Sequence, residues 1–156
     1  MLQIQIPGQG NPQIEHLLLD YNGTLACDGR LLEGIEQRFL ALTEMLDIHV
    51  VTADTFGDVH RQLQGLPCQL TIIPGFSQDQ AKLDYLNTLG AKGTIAVGNG
   101  RNDHLMLKHA VLGIAVVQQE GASTLCLAGA NLVCPGILSA LDMLLQPKRL
   151  TATLRT

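Results

Sequence analysis

HLLLDYNGTL, residues 16–25, sets an apolar run against a carboxylate and then a turn. Leu17, Leu18 and Leu19 follow one another without polar alternation, so both faces of this segment should be covered. A short strand inside a parallel sheet has that property. The run is too brief for a stable helix, and Asn22-Gly23 marks a turn immediately beyond it. The strand therefore delivers Asp20 to one edge of a sheet, with an amide at Asn22 two residues on.

The rest of the chain repeats the pattern. Short apolar runs at 48–52 (IHVVT), 69–73 (QLTII), 94–98 (TIAVG), 112–117 (LGIAVV) and 131–134 (NLVC) alternate with longer amphipathic segments. Helices are expected near 36–46, 58–64, 78–89, 103–109, 122–128 and 137–145. Ser77 stands where an N-cap belongs and Gly90 where a helix stops. The opening MLQIQIP suggests an edge strand, closed by Pro7 and the following GQGNP turn. Alternating strands and helices predict an α/β fold: a three-layer α/β/α sandwich around a mostly parallel, Rossmann-like sheet. A single domain over residues 1–156 is expected, with 148–156 as a loose tail.

Composition narrows the function classes. Apolar residues make up 46% of the chain, charged residues 15%, and Trp is absent, so an aliphatic core is expected. The formal charge of −4 offers no basic footprint for nucleic acid. Lys148 and Arg149 read as a solvated helix end. No apolar run is long enough for a membrane span, and the first residues lack the layout of a signal peptide. Cys27, Cys68, Cys126 and Cys134 form no CxxC pair and have no zinc-like histidine spacing. Reduced thiols in a cytoplasmic protein are the expectation.

Ligands in open α/β sheets gather at the carboxyl ends of the strands, which makes the residue after each strand informative. One run ends in Asp20-Tyr21-Asn22-Gly23-Thr24, a second in Thr52-Ala53-Asp54-Thr55, a third in Gly98-Asn99-Gly100-Arg101-Asn102-Asp103. Phosphoryl transfer suits this set. A carboxylate at Asp20 can accept a phosphoryl group and split the reaction in two. Hydroxyls of Thr24 and Thr52, with backbone N–H groups around Gly23 and at Ala53, can hold the phosphoryl oxygens. Mg2+ prefers oxygen ligands, which Asp20, the Asn22 carbonyl, Asn99 and Asp103 supply. Lys82, one turn into the 78–89 helix, is the expected cation; Lys92 precedes the 94–98 strand and belongs to the opposite edge.

Plainer roles stand beside these. Asp54 is equally a helix-capping acid, and Asn102 or Asp103 can cap the turn after 94–98. GNGRND lacks the third glycine of a dinucleotide loop. His104 suits a surface helix position, and Tyr21 and Arg101 lie near the mouth of the site.

In their residues and order, DYNGTL, TADT and GNGRNDHLML resemble the DKTGTL, TGDN and GDGVNDAPAL signatures of the haloacid dehalogenase superfamily, and most of all its P-type ATPase phosphorylation domains. The resemblance runs from Leu17 to Val133. It implies an aspartyl-phosphate enzyme using Mg2+, with Asp20 as nucleophile, Thr24 and Thr52 on phosphate, and Lys82 neutralising charge. Asn102 and Asp103 would organise the metal end.

Three departures are visible. The short segment between Asp20 and Thr52 leaves no room for a nucleotide-binding or cap domain; LACDGRLLEG can form only a hairpin flap. Asn22 stands where the superfamily's phosphatases carry an acid/base Asp, so turnover should be slow and leaving groups needing little protonation favoured. Asn99 replaces a metal-binding Asp, with Asp103 and Asp54 left to compensate. The expected function is a Mg2+-dependent phosphatase acting on a phosphorylated small molecule or macromolecule, closed by a homo-oligomeric neighbour or by its substrate. A phosphate- or metal-binding regulatory module without turnover is the alternative, and a receiver-like phosphoacceptor a more distant one.

Overall fold

The computed structural model describes residues 1–156. Its centre is a six-stranded, all-parallel sheet. The strands are β3 (His16–Asp20), β6 (Asp47–Thr52), β7 (Gln69–Ile72), β8 (Thr94–Gly98), β9 (Leu112–Val116) and β10 (Leu132–Cys134). Their spatial order is β10-β9-β8-β3-β6-β7. The connecting helices are α1 (Ile35–Leu42), α2 (Val59–Gln62), α3 (Gln78–Leu89), α4 (His104–His109), α5 (Thr124–Gly129) and α6 (Ile137–Leu145). None is long and apolar enough to cross a membrane.

Uninterrupted leucines on β3 fill both faces, as the pattern at 17–19 requires. Leu17 and Leu19 join a core with Phe39 of α1 and Leu141 of α6, whereas Leu18 joins Leu86 of α3, Met106 of α4 and Cys126 of α5. Helices therefore lie on both sides of the sheet, and the sandwich has three layers. β3 pairs with β6 from His16↔Asp47 to Asp20↔Val51 and with β8 from His16↔Thr94 to Leu19↔Val97. Asp20, Thr52 and Gly98 consequently finish on the same edge.

The segment between β3 and α1 forms a small antiparallel hairpin, β4 (Ala26–Cys27) with β5 (Arg30–Leu31). Tyr21 fastens it by donating its hydroxyl to the Gly29 carbonyl at 2.9 Å. No cap domain is present. The amino terminus differs from the expected edge strand. β1 (Leu2–Gln3) pairs only with β2 (Gln13–Ile14), in a separate two-stranded sheet. Ile4, Ile6 and Ile14 are buried there against the main core, which satisfies the apolar pattern without extending the central sheet.

The carboxyl terminus corrects another expectation. Residues 148–156 are not a loose tail: α7 (Pro147–Leu154) follows α6 directly. Proline is well tolerated at a helix's first position, and Leu150 is fully buried in the main core with Leu154 packed beside it. Leu150→Ala should therefore cost about 2–5 kcal/mol, read as a lower urea midpoint. An unchanged midpoint would show that α7 adds nothing to the fold.

Candidate active site

The buried acids and the one buried lysine meet at the carboxyl edge. Lys82, 1% exposed, sends Nζ to Asp20 Oδ1 and to Asp103 Oδ1, both at 2.7 Å. One turn after Lys82, helix α3 is tied to the sheet through Tyr85. Tyr85 Oη lies 3.1 Å from His49 Nδ1 on β6, and His49 Nε2 lies 3.2 Å from His16 Nδ1 on β3. Ser77 sits at the start of α3 in a left-handed conformation (φ 48°) and makes no side-chain cap. Gly90 ends the helix as expected.

Two acids around one ammonium leave a surplus negative charge among buried side chains. Burial pushes Asp20 up to about 7, with Asp103 adding to the rise and Lys82 and Thr24 opposing it. Burial alone would pull Lys82 down, but Asp103 and Asp20 outweigh it and hold the lysine above its ordinary range.

Asp103 uses both oxygens. Beyond Lys82, its Oδ2 accepts the N–H groups of Asn99 (3.0 Å) and Gly100 (2.9 Å), shaping the loop after β8. Thr24 is fully buried behind Asp20: its hydroxyl donates to Asp20 Oδ2 at 3.1 Å and reaches Asn99 Oδ1 at 3.4 Å. It orients Asp20 in this arrangement. Gly23 has φ +79°, and a Cβ there would strike the Asn99 side chain, so glycine is required by both backbone and space.

A pocket of about 140 Å³ opens over Asp20, bounded among others by Asn22, Thr52, Ala53, Lys82 and Asn99. Thr52 is buried, and its hydroxyl oxygen accepts the Asp54 N–H at 3.2 Å, leaving the hydroxyl proton free to donate. Asp54 itself turns to the helix: its Oδ1 accepts the N–H groups of Asp58 and Val59 at 3.1 and 3.2 Å, the capping role rather than a phosphate one. Asn102 lines the pocket and donates its amide to Gln78 Oε1 at 2.7 Å. His104 is turned to the Arg101 carbonyl at 2.7 Å.

Unpartnered oxygens supply the test for a cation. Asn22 Oδ1 is a buried side-chain atom with no hydrogen-bond partner, and the Asn22 carbonyl accepts no backbone bond. With Asp20 and Asn99 Oδ1, that backbone carbonyl makes an all-oxygen set suited to a hard divalent ion. The charge on that set is low, because Asn99 is neutral and its amide nitrogen is tied to the Gly121 carbonyl at 3.0 Å. No three His, Cys, Asp or Glu side chains cluster as a metal site anywhere in the chain.

Gln118 is a supporting residue that the motif reading passed over. Its amide donates to the carbonyls of Gly23 (3.1 Å) and Thr24 (2.8 Å) and accepts the Ile137 N–H at 2.9 Å, clamping the loop after Asp20 to α6. The available signal was positional: Gln118 follows β9 on the same sheet edge as the other three tails.

The fold is shared with solved structures, among them one described as a putative HAD family hydrolase from Streptomyces avermitilis, at 20% identity and a TM-score of 0.66, covering 86% of this chain and 84% of that one. The cobalt-bound deoxy-D-mannose-octulosonate 8-phosphate phosphatase of Haemophilus influenzae superposes with a TM-score of 0.71 at 16% identity, covering 92% of this chain and 94% of that one. The Moraxella catarrhalis 3-deoxy-D-manno-octulosonate 8-phosphate phosphatase, solved with magnesium, phosphate and KDO, gives 0.64 at 17%, covering 91% and 94%. The Yersinia pestis enzyme of that name gives 0.60 at 19%, covering 94% and 93%.

No protein-family model matches the chain. It belongs to the family of two proteins of Methanocaldococcus jannaschii, the uncharacterized proteins MJ0073 and MJ0072. The first is 45% identical over 83 residues, which is 51% of this chain and 89% of that protein. The second is 46% identical over 39 residues, 25% of this chain and 89% of that protein.

Proposed function

We propose that the chain is a Mg2+-dependent phosphoryl hydrolase that works through an aspartyl phosphate on Asp20, and that it favours leaving groups able to depart without a proton. The observation that carries this reading is the Asp20–Lys82–Asp103 triad under a pocket whose other walls hold no proton donor of suitable acidity. Asp20 and Lys82 are the pocket's titratable groups. Lys82 is kept protonated by its two acids, so it balances charge and releases no proton.

In the first step an Asp20 oxygen bonds to phosphorus while the bond to the leaving group breaks and its electron pair leaves with it. The Thr52 hydroxyl and the Ala53 N–H, which has no backbone acceptor, donate to the phosphoryl oxygens. In the second step water bonds to phosphorus and the Asp20 carboxylate is released. Asn22 has no titratable proton, so it neither protonates the leaving group nor activates the water. A divalent ion held by Asp20, Asn22 and Asn99 would neutralise phosphoryl charge, and the magnesium in the Moraxella structure supports that ion. Phosphoryl-group size matches the small pocket; the remainder of a phosphorylated substrate lies outside it. Four free thiols suit the reducing cytoplasm.

A second reading, a phosphate- or metal-binding regulatory module, draws on the neutral Asn22 and Asn99 side chains. One assay separates the two. With Mg2+, p-nitrophenyl phosphate and acetyl phosphate should be hydrolysed above background and glycerol phosphate far more slowly, with EDTA abolishing the difference. Rates equal to buffer in every case would overturn the hydrolase reading in favour of the regulatory one.

A further inference from the structure

The catalytic pocket shares a wall with a second, wider concavity. That groove, about 480 Å³, is lined entirely by Gly75, Ser77, Gln78, Asp79, Arg101 and Asn102, with no apolar side chain. Gln78 and Asn102 line both spaces, and their 2.7 Å hydrogen bond forms the ridge between them. A group bonded to a phosphoryl on Asp20 and reaching past that ridge would meet a polar hollow.

Arg101 is the groove's cation. It is exposed, and its guanidinium forms no ion pair: the chain's salt bridges use His16, Arg38, Arg61 and Lys82 only. Its backbone belongs to the short 3-10 turn Arg101–Asp103, whose last residue holds Lys82. The backbone of Arg101 thus belongs to the same loop that carries Asp103, the partner of Lys82. The groove's one acid, Asp79, has a carboxylate oxygen engaged by the Gln80 N–H at 2.9 Å. An unpaired arginine elsewhere on the surface would mean little; this one lines a hollow that shares Gln78 and Asn102 with the pocket over Asp20.

We propose that Arg101 and this groove form a leaving-group subsite that selects phosphorylated compounds carrying a second anionic group, a carboxylate or a further phosphate. The inference rests on the hydrolase reading above for the orientation of the substrate. Guanidinium geometry fits either anion through paired N–H donors. The second anion also gains a cation in a region where Asp20 and Asp103 already outnumber Lys82.

Titration calorimetry in Mg2+ tests the subsite without turnover. Three probes share the phosphonate head: ethylphosphonate, 3-phosphonopropionate and propane-1,3-bisphosphonate. One of the two doubly anionic probes should bind about 10-fold more tightly than ethylphosphonate, the scale of a hydrogen-bonded charged contact; which of them does so distinguishes carboxylate from phosphate. Arg101→Gln should reduce the preference to about the level of ethylphosphonate, Arg101→Lys should retain part of it, and Lys108→Gln, a charge change on exposed α4, should keep it whole. Equal binding of all three probes, no binding of any, or a preference that survives Arg101→Gln overturns the subsite. A preference that vanishes with Arg101→Gln in a protein that hydrolyses no phosphate compound would sink the hydrolase reading and leave the subsite standing.

Discussion

Asp20→Asn should lower Mg2+-dependent aryl phosphate hydrolysis by about 10³-fold or more, the scale on which losing a nucleophile is felt, and should make the metal-free protein more stable. Both effects come from one carboxylate. The buried cluster holds two acids and one base, and Asp20 carries the surplus charge. Its folded pKa, about 7, lies above the unfolded value of 3.8, so the fold binds this proton more tightly than the unfolded chain does. The stability linked to that proton is complete below about pH 4 and is lost as the pH rises through 7, a difference on the order of a few kcal/mol. Lys82 is raised as well, so its contribution persists until strongly alkaline pH. Asparagine at position 20 can still accept the Lys82 Nζ bond and has no proton to lose. In EDTA the variant's melting temperature should exceed that of wild type at pH 8, and the gap should narrow at pH 5. Added Mg2+ should raise wild type alone, since ligand binding to the folded state stabilises it. Equal melting temperatures at both pH values would show that Asp20 is not under electrostatic strain, and retained hydrolysis would remove it as nucleophile.

Function in this fold is assembled across long sequence distances. Asp20 and Lys82 are 62 positions apart and Lys82 and Asp103 are 21 apart, yet the sequence shows why they meet. Each follows an apolar run, and a parallel sheet brings the ends of such runs to one edge. The strands and the longer helices were legible because burial on two faces leaves uninterrupted apolar residues, because α6 repeats its buried residues at helical spacing, and because Ser77 and Gly90 bracket α3. α7 was harder to read: Leu150 and Leu154 stand at helical i, i+4 spacing and both pack on the core, but a single such pair is a short repeat. The β1–β2 pair was misread for a related reason: alternating isoleucines demand burial but do not say against which partner. Side-chain roles were hardest. Asp54 could cap or bind, and only the positions of the Asp58 and Val59 amides decide for the cap. Gln118 carries no motif at all, and its clamp on Gly23 and Thr24 depends on α6 arriving at the same corner.

Asn22→Asp should raise hydrolysis of substrates with poor leaving groups by about 10²–10⁴-fold, the usual value of positioned acid–base help. The gain should be much smaller for p-nitrophenyl or acetyl phosphate, whose leaving groups need no proton. The structure supplies the geometric reason. Asn22 borders the pocket with Asp20, and its Oδ1 is buried without a partner, so a carboxylic acid placed there faces the reacting group. It would also enter a site already holding Asp20 and Asp103, and two acids that share a site do not both ionise readily. The new carboxyl should therefore keep its proton near neutral pH, as a general acid must. The same crowding predicts a stability cost in metal-free buffer, opposite in sign to the gain from Asp20→Asn. Substrate acidity is the decisive variable. Plotted against leaving-group pKa, wild-type rates should fall steeply and the variant's should fall gently. Parallel lines would mean that position 22 takes no part in proton transfer, and that the slow step lies in Asp20, Asn99 or the metal they hold.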